Sequence, residues 1–328
     1  MATHVRRRIL VTGALGQIGS ELTLGLKDRY GADDVIATDI QPDTRKKLSS
    51  AVPFALLDVL DPEAVDTIVR KYRVNTIYHL AALLSAVAEK RPREGWDINM
   101  GGLLNVLDAA RSNKCSMFFP SSIGAFGPST PLDGTPQDTI QRPETMYGVT
   151  KVAGELLCDY YFKRFGIDTR GVRFPGIISN GTLPGGGTTD YAVDIFYAAI
   201  KEGKYTCFLK PATSLDMMYM PDAIKAAINV MEADPARLRH RNSFNVTAMH
   251  FTPEMLATQI RKHIPEFIME YRVDPMRQRI ADSWPNYMDD SAAREEWGWM
   301  PDYDLAAMTT DMIRVLRRRH EQGLLYTS

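Results

Sequence analysis

Tyr147 and Lys151 stand four residues apart in the stretch Met146-Tyr147-Gly148-Val149-Thr150-Lys151. On a helix that spacing puts both side chains on one face, about one turn apart. A phenol is a weak base, with an ordinary pKa of about 10. Bringing it toward ~7 means favouring the phenolate by roughly 4 kcal/mol, and a nearby ammonium acts in that direction. Such a pair can take a proton from an alcohol. The same residues also suit an ordinary amphipathic helix, so the reading needs a cofactor and a third polar group. Ser122 supplies the group. Met117-Phe118-Phe119 reads as a strand ended by Pro120-Ser121-Ser122, and Ser122 precedes Tyr147 by twenty-five residues. Ligands in open α/β sheets bind at that end of a strand. A hydroxyl there can bond the oxygen that Tyr147 deprotonates; two serines closing a strand also serve as simple caps.

The cofactor is signalled near the start of the chain. Ile9-Leu10-Val11 reads as a buried strand, followed by Thr12-Gly13-Ala14-Leu15-Gly16-Gln17-Ile18-Gly19-Ser20 and a helical run to about Tyr30. Gly13 permits the sharp strand-to-helix turn, Gly16 a close backbone approach to a pyrophosphate, and Gly19 close helix–sheet packing. The pyrophosphate would rest on the helix N-terminus, which favours an anion. A second strand ends in Asp39-Ile40, with Asp39 twenty residues beyond Gly19. A carboxylate there bonds an adenosine ribose diol and repels a 2′-phosphate, so NAD is favoured over NADP. Arg45, Lys46 and Lys47 follow and pull the other way.

Strands and helices continue to alternate. Phe54 to Leu57 reads as a strand, and the following Asp58-Val59 can reach an adenine edge. Asp61-Pro62-Glu63 is a helix start, with a cap, a first-turn proline and an acid at the positive end. Thr76 to His79 is another strand, running into Leu80-Ala81-Ala82, small enough for a backbone to lie against a cofactor. His79 reads as a packed strand-end histidine. Asn99 falls in a predicted helix from Trp96 to Ala110; it is either exposed or an amide bridging that helix to the site.

These elements predict an α/β fold: a Rossmann-like, doubly wound parallel sheet with a smaller, mixed α/β C-terminal substrate lobe. The sheet domain is expected over 1–176 plus about 214–247, and the lobe over about 177–213 and 248–328. The chain has 328 residues and a formal net charge of −1, so no global field favours nucleic acid or a membrane surface. Its three cysteines have no CxxC or Cys/His ligand spacing, which points to free thiols in a reducing compartment. No apolar run has the length of a membrane span, and no signal peptide is evident. The expectation is a soluble intracellular protein of the mitochondrial matrix or cytoplasm. In the second half, residues 182–190 carry Gly185-Gly186-Gly187, Thr188 and Thr189. Their amides and hydroxyls could bind a carboxylate without an arginine; a plain connecting loop is the other reading. Trp297, Trp299 and Tyr303 read as the lobe's core, and Trp284 as a possible pocket wall.

Taken together, the chain resembles the extended short-chain dehydrogenase/reductase family, whose TGxxGxxG pattern stands at residues 12–19 and whose YxxxK pattern stands at Tyr147–Lys151. Stretches 121–127, 142–151, 184–192, 217–222 and 280–285 are similar to its L-threonine 3-dehydrogenase branch. That resemblance implies NAD-dependent oxidation of the L-threonine side-chain alcohol to 2-amino-3-oxobutanoate, without metal. It implies Tyr147 as proton acceptor, Lys151 as the cation holding the nicotinamide ribose, and Ser122 orienting the alcohol. It also implies Ile177 against the nicotinamide, substrate contacts at Ser85, Thr188 and Thr189, and a homodimer. The rival on the same fold is a nucleotide-sugar epimerase. Sugar dehydratases carry acids after the Ser122 position, where this chain has Ile123-Gly124.

Overall fold

The computed structural model describes residues 7–181 and 187–325. Two compact units are interleaved along the chain. One comprises residues up to 125, 144–173 and 224–244; the other comprises 126–143, 174–223 and 245 onward.

The strands in chain order are β1 (Ile9–Thr12), β2 (Val35–Asp39), β3 (Phe54–Leu56), β4 (Thr76–His79), β5 (Ser116–Ser122), β6 (Thr169–Phe174), β7 (Gly176–Ile178), β8 (Lys204–Cys207), β9 (Leu215–Tyr219), β10 (Phe244–Asn245), β11 (Met249–Phe251) and β12 (Ile268–Tyr271). The first unit is built on a seven-stranded sheet of order β10-β6-β5-β4-β1-β2-β3. β1 pairs in parallel with β2 on one side and β4 on the other, Thr12 standing beside both Thr38 and His79. The chain therefore winds outward in one direction from β1, then returns and winds outward from β4. β1 and β4 are therefore the switch point of the sheet, and in open α/β sheets ligands bind in the crevice beyond the C-terminal ends of such strands. Ile9, Leu10 and Val11 are fully buried, as an apolar run in a strand covered on both faces must be.

The helices of this unit are α1 (Gln17–Tyr30), α2 (Pro62–Tyr72), α3 (Ser85–Lys90), α4 (Pro92–Trp96), α5 (Gly102–Asn113) and α6 (Met146–Phe165). Asp61 caps α2 by accepting from the Glu63 and Ala64 amides, both at 3.0 Å. The single helix expected from Trp96 to Ala110 is instead α4, a π-helical turn over Asp97–Gly101, and α5. A Cβ on Gly102 would stand 2.7 Å from Val59 Cγ2, so glycine permits the close approach of α5 to Val59. Thr145 starts α6, accepting from the Gly148 amide at 3.0 Å, and Gly166, at φ 72°, ends it.

The second unit holds a three-stranded sheet, β11-β9-β7, and the pair β12-β8. Its outer helices are α7 (Tyr191–Glu202), α8 (Met220–Glu232, which continues into the first unit), α9 (Pro253–Arg261), α10 (Pro275–Asp282), α11 (Ser291–Trp297) and α12 (Leu305–Glu321). The boundaries differ from those expected. Residues 215–219 do not begin the return to the large sheet, because β9 pairs with β7 and β11. Residues 126–143 leave the first unit because Thr135 bridges Met288, while the Asn245 side-chain amide donates to the Thr135 and Asp289 carbonyls. Trp299 is buried, its Nε1 donating to the Thr247 carbonyl at 3.2 Å. Trp284 is buried as well, at 8% exposure.

Candidate functional site

The nucleotide end of the crevice is made of backbone. Gly13 sits at φ +66°, and a Cβ there would lie 2.6 Å from the Ala81 amide nitrogen. Both the turn and the close approach require glycine. Gly19 acts differently from expectation. Its missing Cβ would lie 2.2 Å from the Gly13 carbonyl oxygen and 3.0 Å from Ala14 Cα, so it seats the turn on the helix rather than the helix on the sheet. Gly16 precedes α1, with no side-chain cap and no acid in the first turn. The first amides of that helix have no intrahelical acceptor, which leaves a place for an anion around Gln17 and Ile18.

Asp39 is fixed beside this turn. Its Oδ2 accepts from the Leu15 amide and its Oδ1 from the Gln41 amide, both at 3.0 Å, while the Ala14 amide donates to Thr38 O at 2.9 Å. Ile40 is exposed. Asp58 is also exposed and accepts from the Leu60 amide, whereas Val59 is buried with its carbonyl held by Asn105. An uncapped helix start, a glycine turn and an anchored carboxylate fit the pyrophosphate and adenosine ribose of NAD.

The loop after β4 is tied to β1. Leu80 and Ala81 donate to the Thr12 carbonyl and hydroxyl at 3.1 and 3.4 Å, and the Thr12 hydroxyl meets His79 Nδ1 at 2.9 Å. Burial, with Lys151 repelling a second charge, pulls the His79 pKa down to about 3, so the ring is neutral packing. Asn99 is buried by the π turn. Its Oδ1 accepts from the Leu83 amide at 2.7 Å, and its Nδ2 donates to Leu83 O at 3.2 Å and Thr150 Oγ1 at 3.1 Å. The amide thus bridges the 80–83 loop, which carries Ala82, to the helix of Tyr147. Ser85 opens α3, and Glu89 on the same helix accepts from the Met146 amide at 2.5 Å, at the head of α6.

The chemical end is made of side chains. Ser122, at the end of β5, lies beside Tyr147, its Oγ and the tyrosine ring both about 3.5 Å from the place a Cβ on Gly124 would take, and the Gly124 amide donates to Ser122 Oγ at 3.1 Å. A Cβ on Gly124 would stand 3.4 Å from the Tyr147 ring, at ordinary van der Waals contact, so this backbone packs directly against the ring. Lys151 is buried, its Nζ donating to the Pro120 carbonyl at 2.7 Å and standing 5.3 Å from the Tyr147 ring centroid. The expected lowering of the tyrosine is not what this geometry yields. Burial pushes the phenol up to about 12, against the Ser122 hydroxyl, and pulls Lys151 down to about 8, against Glu155. Withdrawal from water outweighs the ammonium, whose short bond is to a carbonyl.

Sequence reasoning missed the layer beneath. Glu155 lies one turn beyond Lys151, and Arg173 on β6 grips it with Nε–Oε1 at 3.1 Å and Nη2–Oε2 at 2.9 Å, both side chains buried. The Ser121 hydroxyl donates to Glu155 Oε1. The signal was present as a third residue at helical spacing, Tyr147-Lys151-Glu155, but its partners come from other strands.

Within the second unit, Ile177 lies on β7, and Thr188 and Thr189 form a short turn before α7. They come together: a Cβ on Gly176 would be 2.7 Å from Thr189 Cγ2. Thr188 is buried. The Gly187 amide donates to Asp190 Oδ2 at 2.6 Å, which removes it from the carboxylate cradle expected there, because a local acid has already satisfied it. Thr182, Gly185 and Gly186 lie outside the described residues. Among the described residues no three His, Cys, Asp or Glu side chains are grouped to hold a metal, and no helix is long and apolar enough to cross a membrane.

Residues 9–247 match the model of the NAD dependent epimerase/dehydratase family, and the chain belongs to that family. It is 54% identical over 314 residues to an uncharacterised epimerase/dehydratase of Staphylococcus haemolyticus, covering 96% of this chain and 99% of the relative. A crystal structure of L-threonine dehydrogenase from Clostridium difficile superposes with a TM-score of 0.94 at 54% identity, covering 97% of this chain and 99% of that one. A monomeric L-threonine 3-dehydrogenase from a metagenome, in its apo form, gives 0.90 at 46% identity, with 94% and 99% covered. The protein is accordingly an NAD-dependent oxidoreductase, with the Rossmann-like fold that its sequence predicts.

Proposed function

We propose that the protein oxidises L-threonine at C3 to L-2-amino-3-oxobutanoate, as a step of threonine breakdown. The observation that carries this reading is the convergence of Ser122, Tyr147 and Lys151 in one unit, on a frame similar to two enzymes that act on threonine. NAD⁺, when bound, supplies the hydride acceptor. The residues that would hold it are the Gly13–Gly19 turn, Asp39, the 80–82 loop and Lys151, with Ile177 beside the nicotinamide. Ser122 holds the substrate oxygen, and Tyr147 takes the hydroxyl proton as a phenolate. Its pKa must come down for this, so a cation beside the ring is required; Lys151 provides one. Ser85, Thr188 and Thr189 are assigned to the amino acid. One methyl separates threonine from serine, worth about 1–3 kcal/mol in an apolar pocket, so serine is a poor substrate.

The test is NADH absorbance when purified protein meets NAD⁺ with L-threonine, L-allo-threonine, L-serine or UDP-sugars. A rise with L-threonine and NAD⁺, and a much weaker one with NADP⁺, is the expected result. Sugar interconversion without net NADH would move the protein to the epimerase branch and void the threonine assignments.

A homodimer belongs to this proposal. α4, α5 and α6 leave an apolar groove of about 620 Å³ lined by Trp96, Met100, Leu104, Ala153, Leu156 and Leu157. Trp96, Leu104 and Leu156 in this lining are all exposed, a contiguous apolar patch of the kind that marks an interaction surface. One relative is monomeric, so light scattering on the same preparation decides the matter. Three buried free thiols support a reducing compartment, matrix or cytoplasm.

A further inference from the structure

The end of β5 is fastened to α6 at three successive levels. Ser122 meets Tyr147, the Pro120 carbonyl accepts from Lys151, and the Ser121 hydroxyl donates to Glu155. The third level has no evident part in the chemistry. It nevertheless holds a doubly bonded carboxylate–guanidinium pair, from α6 and β6, in the dry interior of the first unit. Burying such a pair is weak as a source of stability, since apolar residues of the same volume usually serve as well. Its position suggests a use. Glu155 is four residues after Lys151 on α6, and the two side chains bond adjacent residues of β5, the lysine the Pro120 carbonyl and the glutamate the Ser121 hydroxyl.

We propose that Glu155, oriented by Arg173 and Ser121, is a positioning residue for Lys151: it holds the lysine as a cation, directed at the Pro120 carbonyl, before any cofactor arrives. This rests on the reading of Lys151 as the catalytic cation. The groups around the ammonium support the role. From α6 come Tyr147, Glu155 and Cys158; from β4, neutral His79; from β5, the Pro120 carbonyl and the Phe119 ring at 4.9 Å; from the π turn, Asn99; from β6, Arg173, already engaged with Glu155. Burial drives the lysine toward its neutral form, and the charge of the Glu155 carboxylate opposes it most.

The test uses the full-length, cofactor-free protein labelled with ¹³C at lysine Cε, with the Lys151 resonance identified by its loss in Lys151→Met. Glu155→Gln should lower the Lys151 titration midpoint by about one pH unit or more, the scale of a single nearby charge. Because that variant strands Arg173 and can fail to fold, Glu155→Gln/Arg173→Gln is measured beside it; two amides can bond each other and leave no lone charge. The double variant should show the same fall, and the alkaline limb of its turnover should move to lower pH with it. Glu155→Asp should return most of the midpoint. A double variant that folds with the wild-type midpoint would overturn the proposal, whatever its turnover. An absence of threonine oxidation in the unmodified protein would sink the functional reading and leave the lysine midpoint as a separate result.

Discussion

Two buried carboxylates, one from each unit, are held in opposite ways. Glu155, in the first, faces the fork of Arg173 and a serine hydroxyl. Asp216, on β9 of the second, has only neutral donors: the Thr247 hydroxyl at 2.5 Å, the Met288 amide at 2.9 Å and the Met217 amide. Asp290 repels it as well, and burial pushes its pKa up to about 8. A guanidinium lets a carboxylate remain an ion in a dry interior; hydrogen bonds alone do not outweigh lost hydration there. The first arrangement can therefore act on a neighbouring charge. The second serves to lace β9, β11 and the 288 segment together.

The sharpest separation of chemistry from architecture is Tyr147→Phe. Turnover should fall by about 10²–10⁴, the usual contribution of a positioned acid–base group, while NAD⁺ binding and the urea midpoint stay close to wild type. Substantial remaining turnover would reassign the proton acceptor. Arg173→Met strips the cation from Glu155 and should cost about 3–5 kcal/mol in urea unfolding, the range for breaking a buried pair. A loss below about 1 kcal/mol would make the two carboxylates alike after all.

Asp216→Asn leaves the chemistry alone and changes stability in a way that depends on pH. The folded pKa is raised, so Asp216 contributes its full stability below the unfolded value of about 3.9. That contribution is lost as pH rises toward about 8. The melting temperature of the wild type should therefore fall across this window, and the asparagine variant should flatten the fall while keeping turnover. An equal slope in both proteins would show that Asp216 is not held neutral.

Local signals were legible where one segment contains both partners. Gly13 turns and Asp39 closes the next strand because spacing alone places them. Signals failed where a distant partner sets the outcome. Asn99 looked equally suited to a surface until the π turn aimed it at Leu83 and Thr150. Gly187 looked free until Asp190 took its amide. Residues 126–143 looked like a loop of the sheet domain until Thr135 met Met288.

From the sequence alone came the strands of the first half as far as Ser122, the glycine turn, and Tyr147 and Lys151 on one helix face, because helical and strand periods convert spacing into geometry. Only the tertiary structure decided the electrostatics of that set. Whether Tyr147 or Lys151 titrates high or low depends on burial, and on a carboxylate whose arginine lies eighteen residues further along the chain. Burial and through-space charge are properties of packing, and no local pattern encodes them.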